Sequence, residues 1–350
     1  MTTTTKPTSP GSAAPEGAPI TPRRIIEFAW GFAPPLIIEA AVRHRVFDVL
    51  NSGGPQSLDE LARATGASTR GLRAILDALV GLELLTRQAD RYALTPESAT
   101  FLVSSKPAFH GGFVKHLNGQ ILNSWKNLAD IVTTGKPATE VNDQETGAAF
   151  FREFVEDLLP INFAAARVLA DHLAAKYEGQ PMKVIDLAAG SGVWGIAFAQ
   201  RSPQARITAV DWPKVAEITQ DVAKRFGVGD RLSTLPGDLQ EVDFGRGYQV
   251  ATLGHILHSE GEARSRKLLA KVFDALTPGG TIAIAEFTPN DDRTAPPIPL
   301  LFGVNMLVHT HDGDVFTFPQ ISSWLREAGF KDVRQLEAPA PSPLILATKP

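Results

Sequence analysis

Small residues and carboxylates follow three consecutive strand-like segments in the second half of the chain. The segment Val184–Gly192 reads VIDLAAGSG, an apolar run that leads into a turn of small residues. Such a turn lets a ligand approach the backbone closely and directs helix N–H groups at it. Asp211 ends the next apolar run, and Asp238 follows the third in the segment PGDL. These acids are placed to accept hydrogen bonds from ribose hydroxyls and from the adenine amino group, which predicts a nucleoside site.

The turn differs from two common nucleotide-binding motifs. Ala188 stands where the dinucleotide pattern has its first glycine, although Gly195 is present. No Gly-Lys-Ser/Thr follows, so the segment is not a phosphate loop. Together with the two acids, this indicates a nucleoside without phosphates.

A histidine and a glutamate follow two further strand-like segments. His258 lies in HILH after the run that ends at Gly254, and Glu286 ends the next run. An imidazole, with an ordinary pKa of about 6.5, is suited to take a proton from a hydroxyl group at neutral pH. A carboxylate behind the ring would fix its tautomer and stabilise the imidazolium. The alternative is that His258 caps a helix or fills the core.

Strand and helix patterns alternate from Lys183 to the end of the chain, and this alternation predicts an α/β fold with a doubly wound, Rossmann-like sheet. The ends of its strands meet at the switch point where such sheets bind ligands. A domain boundary is expected near 179–181. The predicted strands are Lys183–Leu187, Arg206–Asp211, Arg231–Leu235, Tyr248–Gly254, Gly280–Glu286 and Leu344–Thr348.

The N-terminal part has the pattern of a winged helix. Ser57 and Glu60 form a capping-box pair, a second helix follows over Thr69–Leu85, and Leu84–Thr95 reads as a hairpin. The second helix is mostly apolar and carries acids beside its arginines, which favours a buried helix over a DNA-binding one. Before it, Pro22–Leu50 is helical, with a break or kink at Pro34 and Pro35, and its broad apolar surface suits a helix shared between subunits.

Two helical runs connect the halves, Phe113–Thr133 with Trp125 and Glu145–Ala175 with a kink at Pro160. Their aromatic residues either roof a ligand pocket or belong to an ordinary core. The predicted domains are therefore a disordered leader (1–20), a winged-helix dimerisation domain (21–105), a helical linker and pocket roof (106–180) and a catalytic domain (181–350).

Composition excludes several classes of protein. The 350 residues include no cysteine, so disulfides, thiolate nucleophiles and cysteine metal sites are absent. The net charge of −4 gives no reason to expect a nucleic-acid or membrane-surface partner. The leader lacks the apolar core of a signal peptide, and we expect no apolar stretch long enough to span a bilayer. A soluble cytoplasmic protein is predicted.

The motifs resemble those of class I S-adenosylmethionine methyltransferases, specifically the dimeric small-molecule O-methyltransferases of the acetylserotonin and caffeate type. The similar segment runs from about Ile25 to Lys349. The matching motifs are DLAAGSG (Asp186–Gly192), DWP (Asp211–Pro213), GD (Gly237–Asp238), LH (Leu257–His258), LTPGG (Leu276–Gly280), AE (Ala285–Glu286) and NMLVHT (Asn305–Thr310).

The resemblance implies a methyltransferase fold, S-adenosylmethionine as cofactor, a homodimer through the N-terminal domain, and O-methylation of a small acceptor such as an aromatic secondary metabolite. It makes His258 the general base and Glu286 the residue that orients it. The implied cofactor-binding residues are Asp186, Gly190, Gly192, Asp211, Trp212, Asp238, Leu239 and Gly254. The implied acceptor-binding residues are Trp125, Phe154, Leu158, Ile161, His255, Phe302, Asn305, Met306 and His309.

The chain departs from the family pattern at four places. Besides Ala188, a lysine common four residues before the base is Gly254 here, and the Asp/Asn-Trp pair after the base is Ser259-Glu260. A second acid that flanks the base in plant members aligns with Val315.

Three other functions stay open. No metal is expected, but a C- or N-methyltransferase with a divalent metal held by His258 and His309 is an alternative, because some members of the family use iron. Other relatives bind the cofactor and carry out reactions other than methylation. A DNA-binding regulator would need a basic, exposed recognition helix.

Overall fold

The computed structural model describes residues 20–142, 144–152, 154–339 and 343–350. The predicted leader lies outside the described residues except for Ile20. The chain begins with two short helices, α1 (Arg23–Ala29) and α2 (Ala33–Arg43), separated by a turn. The helical run is broken just before Pro34 and Pro35, as expected, and the two prolines lie in the first turn of α2, where a missing N–H costs nothing.

The apolar segment Arg23–Arg43 contradicts the expectation that no apolar stretch is long enough to span a bilayer. Its 21 residues are long and apolar enough to cross a membrane by length and composition. Only 6% of its most apolar window is buried within the protomer. The turn between α1 and α2 interrupts the helix that such a span would need.

The next elements have the order and pairing of a winged helix. The helices are α3 (Val46–Gly53), α4 (Leu58–Thr65), α5 (Thr69–Gly81) and α6 (Pro96–Phe101), and the strands are β1 (Gln56–Ser57), β2 (Leu85–Gln88) and β3 (Arg91–Leu94). The strands pair antiparallel in the order β1-β3-β2. The predicted capping box forms, since Ser57 accepts from the Glu60 N–H and Glu60 accepts from the Ser57 N–H. Leu72, Leu76 and Leu79 of α5 are buried, as predicted for a helix packed into a core.

The two predicted connecting helices are each broken into shorter pieces. The first forms α7 (Gly111–His116), a π-helical turn (Leu117–Ile121), α8 (Leu122–Trp125) and α9 (Leu128–Thr134). The second forms α10 (Gln144–Arg152), a 3-10 turn (Val155–Leu158) and α11 (Leu159–Ala174). Pro160 lies in the first turn of α11, so it begins that helix and does not kink it.

A seven-stranded sheet forms the rest of the chain. Its strands are β4 (Met182–Leu187), β5 (Ala205–Asp211), β6 (Leu232–Pro236), β7 (Tyr248–Gly254), β8 (Leu276–Ala285), β9 (Lys331–Leu336) and β10 (Leu344–Thr348). The order is β6-β5-β4-β7-β8-β10-β9, with β10 antiparallel to both neighbours. The helices are α12 (Val193–Arg201), α13 (Pro213–Arg225), α14 (Leu257–Ala275), α15 (Pro297–His309) and α16 (Phe318–Glu327).

The order of strands explains where a ligand binds. The chain runs outward from β4 to β6 on one side and from β7 to β8 on the other, so the switch point lies between β4 and β7. Val184, Ile185 and Leu187 are fully buried, which fits a strand covered on both faces. All six predicted strands form, and β9 is the strand that the sequence did not predict.

Candidate active site

The predicted cofactor turn lies at the carboxyl end of β4, and Asp211 braces it. Asp211 Oδ2 accepts a hydrogen bond from the Gly190 N–H at 2.8 Å, and Oδ1 accepts from the Trp212 N–H at 2.7 Å. Burial raises the pKa of Asp211 to about 6, although these two backbone donors oppose the shift. Each carboxylate oxygen keeps a lone pair, as an acceptor for ligand hydroxyls requires.

Three residues of the cofactor turn have a left-handed backbone conformation. Gly190 has φ +55° and Gly192 has φ +75°, conformations in which glycine carries no penalty. Ala188 has φ +51° and lacks that freedom, so the turn is strained at the position where the family has glycine. A Cβ on residue 190 would lie 2.9 Å from the side chain of Val155, which therefore closes over the turn.

Asp186 occupies a different place from the one its assignment to the cofactor implies. It is fully buried, and its carboxylate accepts from Gly195 N–H at 2.9 Å and Thr252 Oγ1 at 2.7 Å. Burial raises its pKa to about 7. Since the side chain has no exposed surface, its contacts support the turn from below.

Asp238 and Leu239 follow β6, at the predicted third position. Asp238 Oδ1 accepts from the Gln240 N–H at 2.7 Å, and Leu239 is buried to 8% exposure. Gln240 also donates to Glu260 at 2.7 Å. Glu260, which stands where the family has tryptophan, is thus tied to the cofactor side of the sheet, and it also pairs with Arg264 at 2.8 Å.

Gly254 ends β7, and its surroundings explain the missing lysine. A Cβ at this position would lie 2.0 Å from Nε1 of Trp194, which is buried in the first turn of α12. The indole therefore packs over residue 254. The sequence placed Trp194 beside the turn but did not indicate this contact, because the two residues are 60 positions apart.

These residues fit S-adenosylmethionine. Two carboxylates, Asp211 and Asp238, stand at neighbouring strand ends, as hydroxyl and amino donors of a nucleoside require. The Gly190–Gly192 backbone faces the same edge of the sheet. Trp212 lies 6.3 Å, ring to ring, from Phe151 of α10, so the connecting helices cover this edge.

His258 and Glu286 form a buried pair at the adjoining strand ends. His258 Nδ1 lies 2.7 Å from Glu286 Oε2, and the Leu257 N–H donates to Oε1 at 2.7 Å. The two residues are 7% and 2% exposed. Burial alone would raise the pKa of Glu286, but the charge and hydrogen bond of His258, with smaller effects of His255 and the His258 N–H, hold it below its ordinary value. Glu286 is therefore ionised, and the predicted orienting contact is present.

His255 adjoins this pair. Its backbone has φ +61°, and its Nε2 lies 3.1 Å from Asn162 Oδ1 of α11. Its ring centroid is 6.3 Å from that of His258 and 4.9 Å from that of Phe287. Burial lowers its pKa to about 4, so the ring is neutral at physiological pH.

One face of α15 lines the space in front of His258. Phe302 meets the His258 ring edge-on at 4.8 Å, and Phe287 packs on Phe302 at 4.2 Å. One turn further along, Asn305 Oδ1 accepts from Trp125 Nε1 at 3.0 Å. The structure thus brings together three of the predicted acceptor residues from α8 and α15.

Aromatic rings from the connecting helices form a second wall, which meets α15 at His309. Phe154 stacks on His116 with ring centroids 3.5 Å apart. Phe150 contacts Phe154 at 5.3 Å and His309 at 5.7 Å. His116 was missed by sequence reasoning, since a lone histidine carries no periodic signal. Met306 is buried. Leu158 and Ile161 are half-buried, and their acceptor roles stay predictions.

The metal alternative needs a different set of ligands from the one expected. Within the described residues, the group of imidazole and carboxylate atoms that lie within 4.8 Å of one another is His255, His258 and Glu286. His309 is not part of it. A metal bound at Nδ1 of His258 would have to displace the proton that this atom donates to Glu286.

The acid that flanks the base in plant members has no counterpart at Val315, which is fully buried. Its neighbour Asp314 pairs with Arg293 at 2.8 Å. The Asp314 N–H donates to the His258 carbonyl at 2.9 Å, so this loop braces the backbone of the histidine.

Comparison with known proteins gives consistent matches over nearly the whole chain. Among curated proteins, the 3-hydroxy-5-methyl-1-naphthoate 3-O-methyltransferase of Streptomyces sahachiroi is 29% identical over 91% of this chain and 92% of its own. The tetracenomycin polyketide synthesis 8-O-methyl transferase TcmO of Streptomyces glaucescens is 28% identical, over 94% and 97%.

Solved structures agree. A Nostoc punctiforme protein provisionally described as an O-methyltransferase has a TM-score of 0.86 at 31% identity and covers 95% of this chain and 100% of its own. Human N-acetylserotonin methyltransferase in complex with SAM has the same fold, with a TM-score of 0.80 at 24% identity over 96% and 99%.

Two family models match the sequence itself. The O-methyltransferase dimerisation domain matches residues 26–104, and the O-methyltransferase domain matches residues 125–331. The second model spans more than half of the chain, which therefore belongs to the family of S-adenosylmethionine-dependent O-methyltransferases with an N-terminal dimerisation domain.

Proposed function

We propose that the chain transfers the methyl group of S-adenosylmethionine to a hydroxyl group of a small aromatic secondary metabolite, with His258 as general base. The observation that carries this proposal is the pair of His258 Nδ1 and Glu286 Oε2, 2.7 Å apart, beside a wall of aromatic rings. A base at this place faces both the cofactor edge of the sheet and the acceptor space.

The protonation of His258 follows from its partner. Glu286 is ionised and only accepts hydrogen bonds, so Nδ1 of His258 carries the proton in the neutral ring. Nε2 then holds the free lone pair that removes the proton of the acceptor hydroxyl. As the ring becomes positive, the carboxylate behind it stabilises the charge.

The cofactor, when bound, supplies a methyl group activated by a sulfonium centre. The chain contributes the alignment of the acceptor oxygen with that methyl group, and alignment supplies much of the rate in such displacements. Phe302 and Phe287 restrict a planar ring beside His258, and the buried setting of the pair excludes water. One Streptomyces relative is named for an aromatic acceptor, a naphthoate, and the other for tetracenomycin polyketide synthesis.

The finer properties stay predictions. A homodimer follows from the dimerisation-domain match together with the exposed apolar helices α1 and α2. A cytoplasmic site, without nucleic-acid or membrane partners, rests on sequence composition. The test below distinguishes O-methylation from C- or N-methylation and from reactions without methyl transfer.

The test uses S-adenosylmethionine with a labelled methyl group and a panel of hydroxynaphthalenes as acceptors. We expect labelled ethers and one S-adenosylhomocysteine per product. His258→Ala should lower kcat by about 10²- to 10⁴-fold, the usual contribution of a general base. His172→Ala, at an exposed position of α11, is the matched control. Label on carbon or nitrogen, product without S-adenosylhomocysteine, or turnover by His258→Ala within a few-fold of wild type would overturn the proposal.

A further inference from the structure

His309 ends α15 with a ring nitrogen that has no hydrogen-bond partner. His309 is only 2% exposed, and its Nε2 has no hydrogen-bond partner among the described residues. Buried polar atoms are nearly always hydrogen-bonded, and an unsatisfied one destabilises the fold. Such an atom inside a binding site indicates a ligand group that completes it.

The other nitrogen of this ring fixes which kind of group is missing. His309 Nδ1 lies 3.0 Å from the backbone carbonyl of Asn305, which can only accept, so Nδ1 carries the proton. Burial lowers the pKa of His309, with a smaller opposing effect of that hydrogen bond, and the ring is neutral at pH 7. Nε2 is therefore a bare lone pair, and its partner has to be a hydrogen-bond donor.

The position of His309 places this lone pair at the acceptor wall. Phe302, Asn305 and His309 are spaced three and four residues apart, so they share one face of α15. Phe302 contacts the His258 ring, and Asn305 contacts Trp125. His309 itself lies against Phe150, which joins it to the aromatic wall.

We propose that His309 is a specificity residue whose Nε2 accepts a hydrogen bond from a second hydroxyl or N–H group of the acceptor. The preferred acceptors are then aromatic compounds with two donor groups. One is methylated at His258, and the other is held at His309 about two helical turns away along α15. This inference rests on the proposed function, since it assumes that the acceptor binds between His258 and His309.

The experiment compares three classes of probe that are similar in size. These are 2-naphthol with one donor, the 1,6-, 2,6- and 2,7-dihydroxynaphthalenes with two, and the monomethyl ethers of those diols, in which the second donor is removed. In wild type, at least one diol should exceed both 2-naphthol and its own monomethyl ether in kcat/KM by about tenfold, the effect of one buried neutral hydrogen bond.

Two variants separate recognition from structure. His309→Phe should bring the kcat/KM of the diol within about twofold of that of 2-naphthol, with the larger loss on the diol and chiefly in its KM. His309→Gln, whose side-chain oxygen can accept, should restore part of the preference. S-adenosylhomocysteine binding by calorimetry verifies that each variant is folded.

The outcomes are distinguishable from failure of the proposed function. If no hydroxynaphthalene yields a methyl ether, the proposed function fails first. If wild type methylates all three classes equally, or if His309→Phe keeps the diol preference, the role given to His309 is wrong. An equal loss of kcat for every probe in His309→Phe would show a structural role and would also overturn it.

Discussion

The indole of Trp194 lies over the Cα of Gly254, so closely that a Cβ at position 254 would stand 2.0 Å from Nε1. Trp194 belongs to the helix that follows the cofactor turn, and Gly254 ends the neighbouring strand β7. The indole is rigid and 4% exposed, so it cannot move aside as a flexible chain end does. The tryptophan at position 194 therefore requires a residue without a Cβ at position 254.

This pairing predicts the result of restoring the lysine of the family. Gly254→Lys alone should displace the indole and lower S-adenosylhomocysteine affinity at least tenfold, because Trp194 lies in the first turn of the helix that follows the cofactor turn. Trp194→Ala with Gly254→Lys should recover much of that loss, since the smaller side chain leaves room. Calorimetry on the two single variants and the double variant measures the coupling. Additive losses would show that the two side chains do not compete for space.

The raised pKa of Asp211 predicts a pH-dependent cofactor affinity. With a pKa of about 6, the side chain is largely protonated at pH 5 and ionised at pH 7.5. The ionised form is the stronger acceptor for hydroxyl donors, so the Kd for S-adenosylhomocysteine should fall as the pH rises through this window. Asp211→Asn should bind more weakly and lose the dependence. A flat profile in wild type would contradict the assignment.

The raised pKa of Asp211 also determines how the free energy of unfolding changes with pH. An unfolded aspartate has a pKa of about 3.9, so the folded chain binds the additional proton between about pH 4 and pH 6. The contribution of Asp211 to the free energy of unfolding is therefore largest below this window and decreases as the pH rises through it. Thermal melting of wild type and Asp211→Asn across pH 4.5–7.5 measures the difference.

Much of the catalytic domain could be predicted from the sequence, because its strands are continuous apolar runs. The limits of β7 and β10 agree with prediction to the residue. Strand β9 was missed because its segment, KDVRQL, is an exposed edge strand with polar residues on both faces. The break expected at Pro34 and Pro35 is present, since α1 ends at Ala29 and α2 begins at Ala33. Pro160 was expected to kink a helix, yet it lies in the first turn of α11, a choice that local sequence leaves open.

The active site, too, could be predicted from the sequence only in part. The residues at strand ends, Asp211, Asp238, His258 and Glu286, follow from the strand pattern and the family motifs. The contacts of Trp194 with Gly254 and of His116 with Phe154 join distant segments. No period or spacing encodes such pairs, so only the folded chain shows them.

Ala188 predicts an unusual response to glycine substitution. Its left-handed φ of +51° carries a penalty of about 1–2 kcal/mol that glycine would remove. This gain offsets the lost methyl burial and the greater freedom of the unfolded chain, so Ala188→Gly should change stability by less than about 1 kcal/mol. Ala209→Gly, in the middle of β5 without such strain, is the control and should cost more. Equal losses in urea unfolding would show that Ala188 is unstrained.

The apolar face of α1 and α2 predicts a dimer that charge can dissociate. Ile25, Phe28 and Trp30 are 74%, 61% and 64% exposed in the protomer. Large exposed apolar patches mark interaction surfaces, and the dimerisation-domain match begins within this face. Phe28→Glu with Trp30→Glu should convert a dimer to a monomer in light scattering at micromolar concentration. Val132→Glu, at a residue 66% exposed elsewhere, should leave the dimer intact. A wild-type monomer that cosediments with lipid vesicles would show instead that this face binds membranes.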